Sequence, residues 1–82
     1  MYTVYALYNR ENSKIYLGQT KDLETRLKMH NERTFKGYTS RFSGQWTLIY
    51  SEEYSTRREV LEREKQLKSY QGRVFIKTHI PA

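Results

Sequence analysis

The 82-residue sequence contains no cysteine, which excludes disulfides, thiolate metal sites and a cysteine nucleophile. It has only two histidines, His30 and His79, and they lie too far apart in sequence to form a spaced metal-ligand cluster. Its longest apolar run near the start, residues 4–8, is too short for a secretory signal or a membrane span. We therefore expect a cytoplasmic protein without a membrane partner.

Tyrosine and positive charge are abundant instead. Eight tyrosines contribute to an aromatic content of 15%, which together with 37% hydrophobic residues is too high for a disordered chain. The net charge is +6, and the basic excess falls in residues 21–41 and 57–77, on either side of a segment that holds Glu52 and Glu53. Two basic segments suit a surface that faces a polyanion, although a well-solubilised surface gives the same pattern.

The length fits one domain over residues 1–82 with a small core. Aromatic and β-branched residues predict three strands, at residues 2–8, 15–20 and 46–51. A polar turn at residues 9–13 joins the first two strands into a hairpin. If the turn centres near residues 10 and 11, Tyr5 lies opposite Tyr16 on one face of the sheet.

A first helix is predicted over residues 22–31, with Asp22 as its N-cap. Residues 32–44 show no clean period and are predicted to be a loop. A second helix is predicted from the capping box of Thr56 and Glu59 to about residue 69.

Gly72 is predicted to end the second helix, and residues 73–79 to form a last short helix before Pro81. The resulting order is ββαβα with a further terminal α. The predicted class is therefore α+β, with a small antiparallel three-stranded sheet and flanking helices.

The second helix places an acidic residue on its apolar face. Glu64 comes four residues after Val60, three after Leu61 and three before Leu67, so all four share one face. A carboxylate there needs a partner, because burying an unpaired charge is costly. A basic side chain, a hydrogen-bond network or a divalent metal would each provide one, and an edge residue leaning towards water is the simpler alternative.

The first helix and the hairpin carry further candidates. Arg26 and His30 are four residues apart and point the same way, and Asp22 lies one turn before Arg26. Taken alone, Arg26 fits a surface salt bridge and His30 a structural role. Tyr5 and Tyr16, taken alone, fit packing in the core.

Together, these residue types supply the groups that phosphodiester hydrolysis requires. A guanidinium binds the phosphate and neutralises charge in the transition state. A carboxylate holds a hard divalent cation such as Mg²⁺, which stabilises the leaving oxygen. A tyrosine or a histidine positions or deprotonates water. The candidate residues are Tyr5, Tyr16, Arg26, His30 and Glu64.

The sequence resembles the GIY-YIG nuclease family across essentially its whole length, in particular compact members related to the N-terminal nuclease module of the ABC excinuclease. The two signatures correspond to residues 3–5 (TVY) and 16–18 (YLG). The helix arginine of the family matches Arg26, and a histidine or tyrosine of many members matches His30. The metal-binding glutamate of the family matches Glu64.

The resemblance implies a GIY-YIG fold and an endonuclease that uses one Mg²⁺ or Mn²⁺ ion to hydrolyse DNA, leaving 5′-phosphate and 3′-hydroxyl ends. Our hypothesis is that Arg26 holds the scissile phosphate, that Glu64 holds the metal, and that His30 orients a tyrosine or takes part in proton transfer. A tyrosine activates the water, with Tyr5 and Tyr16 both open as the base.

The sequence departs from the family at Thr3, which replaces the signature glycine, and at Gln19, where some members have lysine. A role in DNA repair or recombination follows from the resemblance, with branched or nicked DNA and a homodimer or accessory protein as open partners. The main alternative is a catalytically weak nucleic-acid-binding module that uses its basic faces and tyrosines. A module that binds an acidic protein is the third interpretation.

Overall fold

The computed structural model describes residues 1–32 and 37–81. Its strands and helices follow the order β1 (Tyr2–Asn9), β2 (Lys14–Thr20), α1 (Leu23–Asn31), a short 3-10 helix η1 (Tyr38–Arg41), β3 (Trp46–Tyr54), α2 (Arg57–Leu67) and α3 (Tyr70–Lys77). The predicted α+β class and ββαβαα order are confirmed. No helix in the described ranges is long and apolar enough to cross a membrane.

The three strands form one antiparallel sheet in the order β2-β1-β3. Tyr5 pairs with Gly18 and Tyr16 pairs with Leu7, so the predicted pairing of the two tyrosines is wrong by two residues. The cause is the hairpin turn, which centres one residue later than predicted. Because side chains alternate between the two faces of a strand, a shift of two keeps both tyrosines on the same face.

The central strand β1 is buried on both of its faces. Val4 and Ala6 pack against α2 and α3, in a cluster that includes Leu17, Val60, Leu67 and Ile76. Tyr5 and Leu7 point to the other face, where Trp46 of β3 and partly buried leucines of α1 surround them. The molecule therefore has α1 on one side of the sheet and the two later helices on the other, which is how alternation along a central strand builds three layers.

Both predicted N-caps are present. The Asp22 carboxylate accepts a hydrogen bond of 3.1 Å from the backbone N–H of Thr25, and the Thr56 hydroxyl accepts one of 3.2 Å from the N–H of Glu59. These bonds satisfy N–H groups that have no partner within the helix. The starts of α1 and α2 are therefore fixed by local sequence.

The predicted end of the second helix is wrong. α2 ends at Leu67, and Ser69 caps a new helix by accepting a hydrogen bond of 3.2 Å from the N–H of Gly72. Gly72 lies inside α3, where a Cβ would come within 2.2 Å of the Gln66 carbonyl oxygen. The glycine is thus needed for close packing between two helices and does not terminate either of them.

Two other boundaries differ from the sequence-based prediction. The predicted loop at residues 32–44 contains η1, while residues 33–36 of that loop lie outside the described residues. β3 continues past residue 51 to Tyr54. This extension carries Glu52, whose carboxylate accepts two hydrogen bonds from Arg63 of α2, at 2.9 and 3.0 Å.

The Glu52–Arg63 pair joins β3 to the helix that carries Glu64. Tyr50 and Tyr54 also donate hydrogen bonds to the Glu52 carboxylate. Burial alone would raise the pKa of Glu52, but the hydrogen bonds from Arg63, Tyr50 and Tyr54 outweigh it and lower the pKa to about 2. The pair therefore stays ionised at neutral pH and fixes α2 against the sheet.

Candidate active site

Tyr5 and His30 are in contact on the face of the sheet that α1 covers. The Tyr5 hydroxyl and the His30 Nε2 atom are 3.0 Å apart, and both side chains are almost fully buried. Tyr5 is delivered by the central strand, and His30 lies in the last turn of α1. Asn31 fixes that end of the helix, because its side chain exchanges hydrogen bonds of 2.7 and 3.0 Å with the backbone of Trp46.

The second ring nitrogen of His30 is also bonded. His30 Nδ1 lies 2.7 Å from the hydroxyl of Thr39, a buried residue of η1. The Thr39 carbonyl oxygen in turn accepts a hydrogen bond of 3.2 Å from the Trp46 indole. The imidazole is therefore held in one orientation by contacts at both nitrogens.

The environment of His30 keeps it neutral. Burial and the nearby charge of Arg26 lower the pKa of His30 to about 4. Burial also raises the pKa of Tyr5, and neighbouring Tyr16 raises it further, while Arg26 acts in the opposite direction. At neutral pH the pair is thus an uncharged phenol beside an uncharged imidazole.

Tyr16 extends this pair towards the surface. Its ring centroid lies 4.9 Å from that of His30 and 6.1 Å from that of Tyr5, and the neighbouring Tyr16 helps to raise the pKa of Tyr5. Gly18, directly across from Tyr5, makes room for this contact: a Cβ there would come within 2.9 Å of both tyrosine side chains. The last residue of the second signature therefore allows the two phenols to approach each other.

Arg26 and Glu64 approach this group from opposite layers. Arg26 lies on α1, one turn before His30, and its charge acts on both Tyr5 and His30. Glu64 lies on α2, and its charge acts on Tyr5. Tyr5 is therefore the residue that the other four have in common: it contacts His30 and Tyr16, and the charges of Arg26 and Glu64 act on it.

Glu64 is mostly buried, with 18% of its side chain exposed, and its Oε2 atom lies 3.2 Å from the ammonium group of Lys68. No group of three or more potential metal ligands occurs among the described residues. A single carboxylate oxygen donor fits Mg²⁺, which keeps several waters and is commonly bound through one or two carboxylates. The Glu64 carboxylate therefore has the donor chemistry that such an ion takes.

A groove of about 450 Å³ opens beside Tyr16 along the edge strand β2. Tyr38 of η1 lines it, with its ring stacked on that of Tyr16 at a centroid distance of 6.3 Å and an interplanar angle of 22°. Of the residues that the structure describes, no acidic one lines the groove, whereas four basic residues do: Lys14, Lys68, Arg73 and Lys77.

Sequence reasoning missed Thr39 and Tyr38 of the site, and Lys68 as the partner of Glu64. Thr39 and Tyr38 lie in a segment without periodicity, so no local signal marks them as buried or stacked. The contact with Lys68 had a signal that could have been used, since Glu64 and Lys68 are four residues apart at the end of a helix.

Comparison with known proteins identifies the family. The GIY-YIG catalytic domain matches residues 1–77. A UPF0213 protein of Bacillus velezensis is 39% identical over 64 residues, which are 78% of this chain and 63% of that protein. A UPF0213 protein of Staphylococcus aureus is 34% identical over 59 residues, or 72% of this chain and 71% of that protein.

The chain spans 63% of the length of the Bacillus relative. No solved structure matches this chain significantly. The match to the catalytic domain nevertheless covers both strands of the hairpin, α1 and α2, and so includes every element of the site described above. The chain belongs to the GIY-YIG family, a family of endonucleases.

Proposed function

We propose that this protein is a metal-dependent endonuclease that hydrolyses DNA phosphodiester bonds. The observation that carries the proposal is the cluster of Tyr16, Tyr5, His30 and Thr39, in which hydrogen bonds join Tyr5 to His30 and His30 to Thr39, and in which Tyr16 lines an open groove. Membership of a family of endonucleases supports the same reaction class. A neutral imidazole and two phenols in contact provide the proton acceptors and donors that hydrolysis needs.

The bonding of His30 suggests how the tyrosines are oriented. A neutral imidazole has one donor and one acceptor nitrogen. With Nδ1–H donating to the Thr39 hydroxyl, Nε2 accepts the proton of Tyr5. In the proposed reaction the Tyr5 oxygen accepts the Tyr16 proton as Tyr16 takes up that of the water, while Tyr5 passes its own proton to His30. The Tyr16 oxygen presents a lone pair to the groove. We assign contact with the attacking water to Tyr16, because it lines the groove while Tyr5 is buried with a raised pKa.

The charged residues complete the assignment. Arg26 holds the scissile phosphate, since its charge acts on both Tyr5 and His30 and a phosphate beside them would lie within its reach. Glu64 holds one Mg²⁺ or Mn²⁺ ion, which when bound stabilises the charge on the leaving oxygen. Negative charge that builds on the phosphate increases the basicity of His30, so the chain of hydroxyls accepts the proton of the water more readily.

We propose that the substrate is branched or nicked DNA of the kind that forms in repair and recombination. We also propose that the protein acts in the cytoplasm. The groove lies along the edge of the sheet beside Tyr16, where a strand that leaves a duplex would have space. Cleavage of flapped, branched, single-stranded and duplex substrates in the presence of Mg²⁺ ranks these forms directly.

The decisive experiment compares cleavage by the native chain and by Glu64→Gln and Arg26→Met. Each substitution should lower the rate by roughly a hundredfold or more, because it removes charge stabilisation that operates in the transition state. Chelation of divalent ions should abolish cleavage, and adding Mg²⁺ or Mn²⁺ should restore it. Wild-type rates in both variants would refute the assignment.

Matched controls are available for both substitutions. Glu62 and Arg58 lie on α2 and form an exposed ion pair of 3.5 Å on its solvent side. Glu62→Gln and Arg58→Met change the net charge by the same amounts and should cleave at the native rate. If the native protein binds DNA but never cleaves it, the binding module is the correct interpretation.

A further inference from the structure

Tyr38 has an unusual position for an aromatic residue of a small domain. Its ring packs near Phe42 and Trp46, with centroids 5.1 and 6.5 Å away, and stacks on Tyr16. Despite these contacts, 41% of Tyr38 remains exposed, and this exposed side borders the groove. The ring is thus fixed by three aromatic neighbours while part of it faces solvent, which is the arrangement of a stacking platform.

The basic residues of the groove are partly preorganised. The Arg73 Nε atom donates a hydrogen bond of 3.1 Å to the Lys68 carbonyl oxygen, and the Lys14 ammonium lies 5.7 Å from the centre of the Phe42 ring. In the part of the chain that the structure describes, Lys68 is the one of the four basic residues that pairs with an acidic side chain. The described lining of the groove therefore carries an excess of positive charge and no acidic residue.

These features favour an unpaired strand over a duplex. A platform ring can stack only on a base whose face is free, and in a duplex the neighbouring bases already cover both faces. Closely spaced lysine and arginine side chains follow a flexible sugar-phosphate backbone in the same way in proteins that bind single strands. The volume of about 450 Å³ falls in the range of sites for small ligands, so it suits a short stretch of nucleotides.

We propose that the groove between β2 and α3 binds unpaired nucleotides of DNA next to the scissile phosphate, with Tyr38 stacking on a base and Arg73 and Lys77 holding the backbone. This inference rests on the proposed function, since Tyr16 joins the groove to the reacting centre. It specifies the substrate further: a single strand, or the unpaired arm of a flap, binds better than a duplex of equal charge.

The test measures equilibrium binding by fluorescence anisotropy, with divalent ions chelated so that no cleavage occurs. The probes are a short oligothymidylate, an abasic oligonucleotide of the same length and a duplex. Tyr38→Ala should weaken binding of the oligothymidylate by roughly five- to a hundredfold, and it should leave the abasic probe unchanged. Tyr70→Ala is the matched control, because Tyr70 is 83% exposed and does not line the groove.

Further variants separate stacking from folding and from charge. Tyr38→Phe keeps the ring and should bind as the native chain does, whereas Tyr38→Leu keeps an apolar side chain and should behave like the alanine variant. Arg73→Ala with Lys77→Ala should weaken both single-stranded probes and reduce the salt dependence of binding.

The outcomes are distinct. Equal losses on thymidylate and abasic probes, an effect of Tyr70→Ala as large as that of Tyr38→Ala, or equal affinity for duplex and single strand would each overturn the proposal. Because binding is measured without cleavage, these results do not depend on the assignments of Glu64 and Arg26. If the native chain shows Tyr38-dependent binding but does not cleave DNA, the proposed nuclease activity is rejected and the proposed binding of unpaired nucleotides in the groove is retained.

Discussion

At the scale of single residues, His30 shows how an ionisable group is kept uncharged inside a small protein. Both of its nitrogens are bonded, to the hydroxyls of Tyr5 and Thr39, and its side chain is inaccessible to solvent. Protonation would bury a positive charge close to Arg26, and burial and this charge together lower the pKa to about 4. The uncharged imidazole makes both hydrogen bonds without burying a charge, so the folded state favours the uncharged form.

This burial makes stability depend on pH. The folded-state pKa of His30 lies below the ordinary value of 6.5, so at mildly acidic pH the unfolded chain binds a proton that the folded chain excludes. Stability should fall as the pH falls from 6.5 towards 4, by about 2 kcal/mol between about pH 7.5 and pH 5 for this group alone. Urea unfolding of the native chain and of His30→Gln at several pH values measures the difference.

His30→Gln should have a flatter dependence in this range, since its amide offers hydrogen bonds without titrating. His79→Gln is the control, because it replaces the other histidine by the same side chain. The range from about pH 5 to 6.5 is the informative one, because the stability that Glu52 contributes is lost only below its unfolded pKa of about 4.5. Equal slopes for native chain and His30→Gln would contradict the buried neutral histidine.

At the scale of secondary structure, two of the ion pairs of α2 have different consequences. Arg63 bonds to Glu52 of β3 and fixes the helix on the sheet. Glu64 and Lys68 pair within the helix, and the Lys68 side chain is 51% exposed at the groove. Because Lys68 neutralises the carboxylate that we assign to the metal, the lysine and a divalent cation compete for the same oxygen atoms.

Removal of Lys68 should therefore strengthen metal binding. Lys68→Met is expected to increase Mn²⁺ affinity by up to about fivefold, a modest effect because an ion pair whose lysine is half exposed contributes about 1 kcal/mol or less. Calorimetric titration of the DNA-free protein measures this affinity independently of cleavage. Lys65→Met on the same helix removes an equal charge and should have a smaller effect. An equal increase in both variants would show a general charge effect and no direct competition.

The sequence predicted those elements whose signals are local. Asp22 and Thr56 cap helices through side chains near in sequence. The predicted hairpin placed Tyr5 and Tyr16 on one face, and they share that face although their pairing differs by two residues. The boundary between α2 and α3 was mispredicted because Gly72 is required by its close contact with the backbone of α2. No local sequence pattern indicates such a contact between two helices.

The same distinction applies to the candidate site. Its five predicted residues lie on regular elements, where spacing indicates a face, and the family resemblance singled them out. Thr39 and Tyr38 could not be found in that way, because η1 has no period and its contacts with His30 and Tyr16 join segments distant in sequence. Tertiary packing alone decides that these two side chains complete the site.

At the scale of the whole molecule, the layered arrangement brings the five predicted residues of the candidate site together from four elements around the sheet. β1 and β2 supply the tyrosines, α1 supplies Arg26 and His30, and α2 supplies Glu64 from the opposite layer. The molecule measures 32 × 27 × 19 Å, close to one helical turn of duplex DNA in its longest dimension. A site of this kind, on a molecule of this size, faces one strand of a duplex at a time.

Cleavage of plasmid DNA should therefore proceed one strand at a time. We expect supercoiled plasmid to become open circles first and linear molecules only later, with an initial rate proportional to protein concentration. Each nick requires one site, and the second strand, which runs in the opposite direction, requires another encounter or another protomer. Gel electrophoresis of a time course over a series of protein concentrations resolves the two products, with Glu64→Gln as the inactive control. Linear DNA that appears together with open circles, at a rate rising with the square of protein concentration, would instead show that two copies of the chain act as a homodimer.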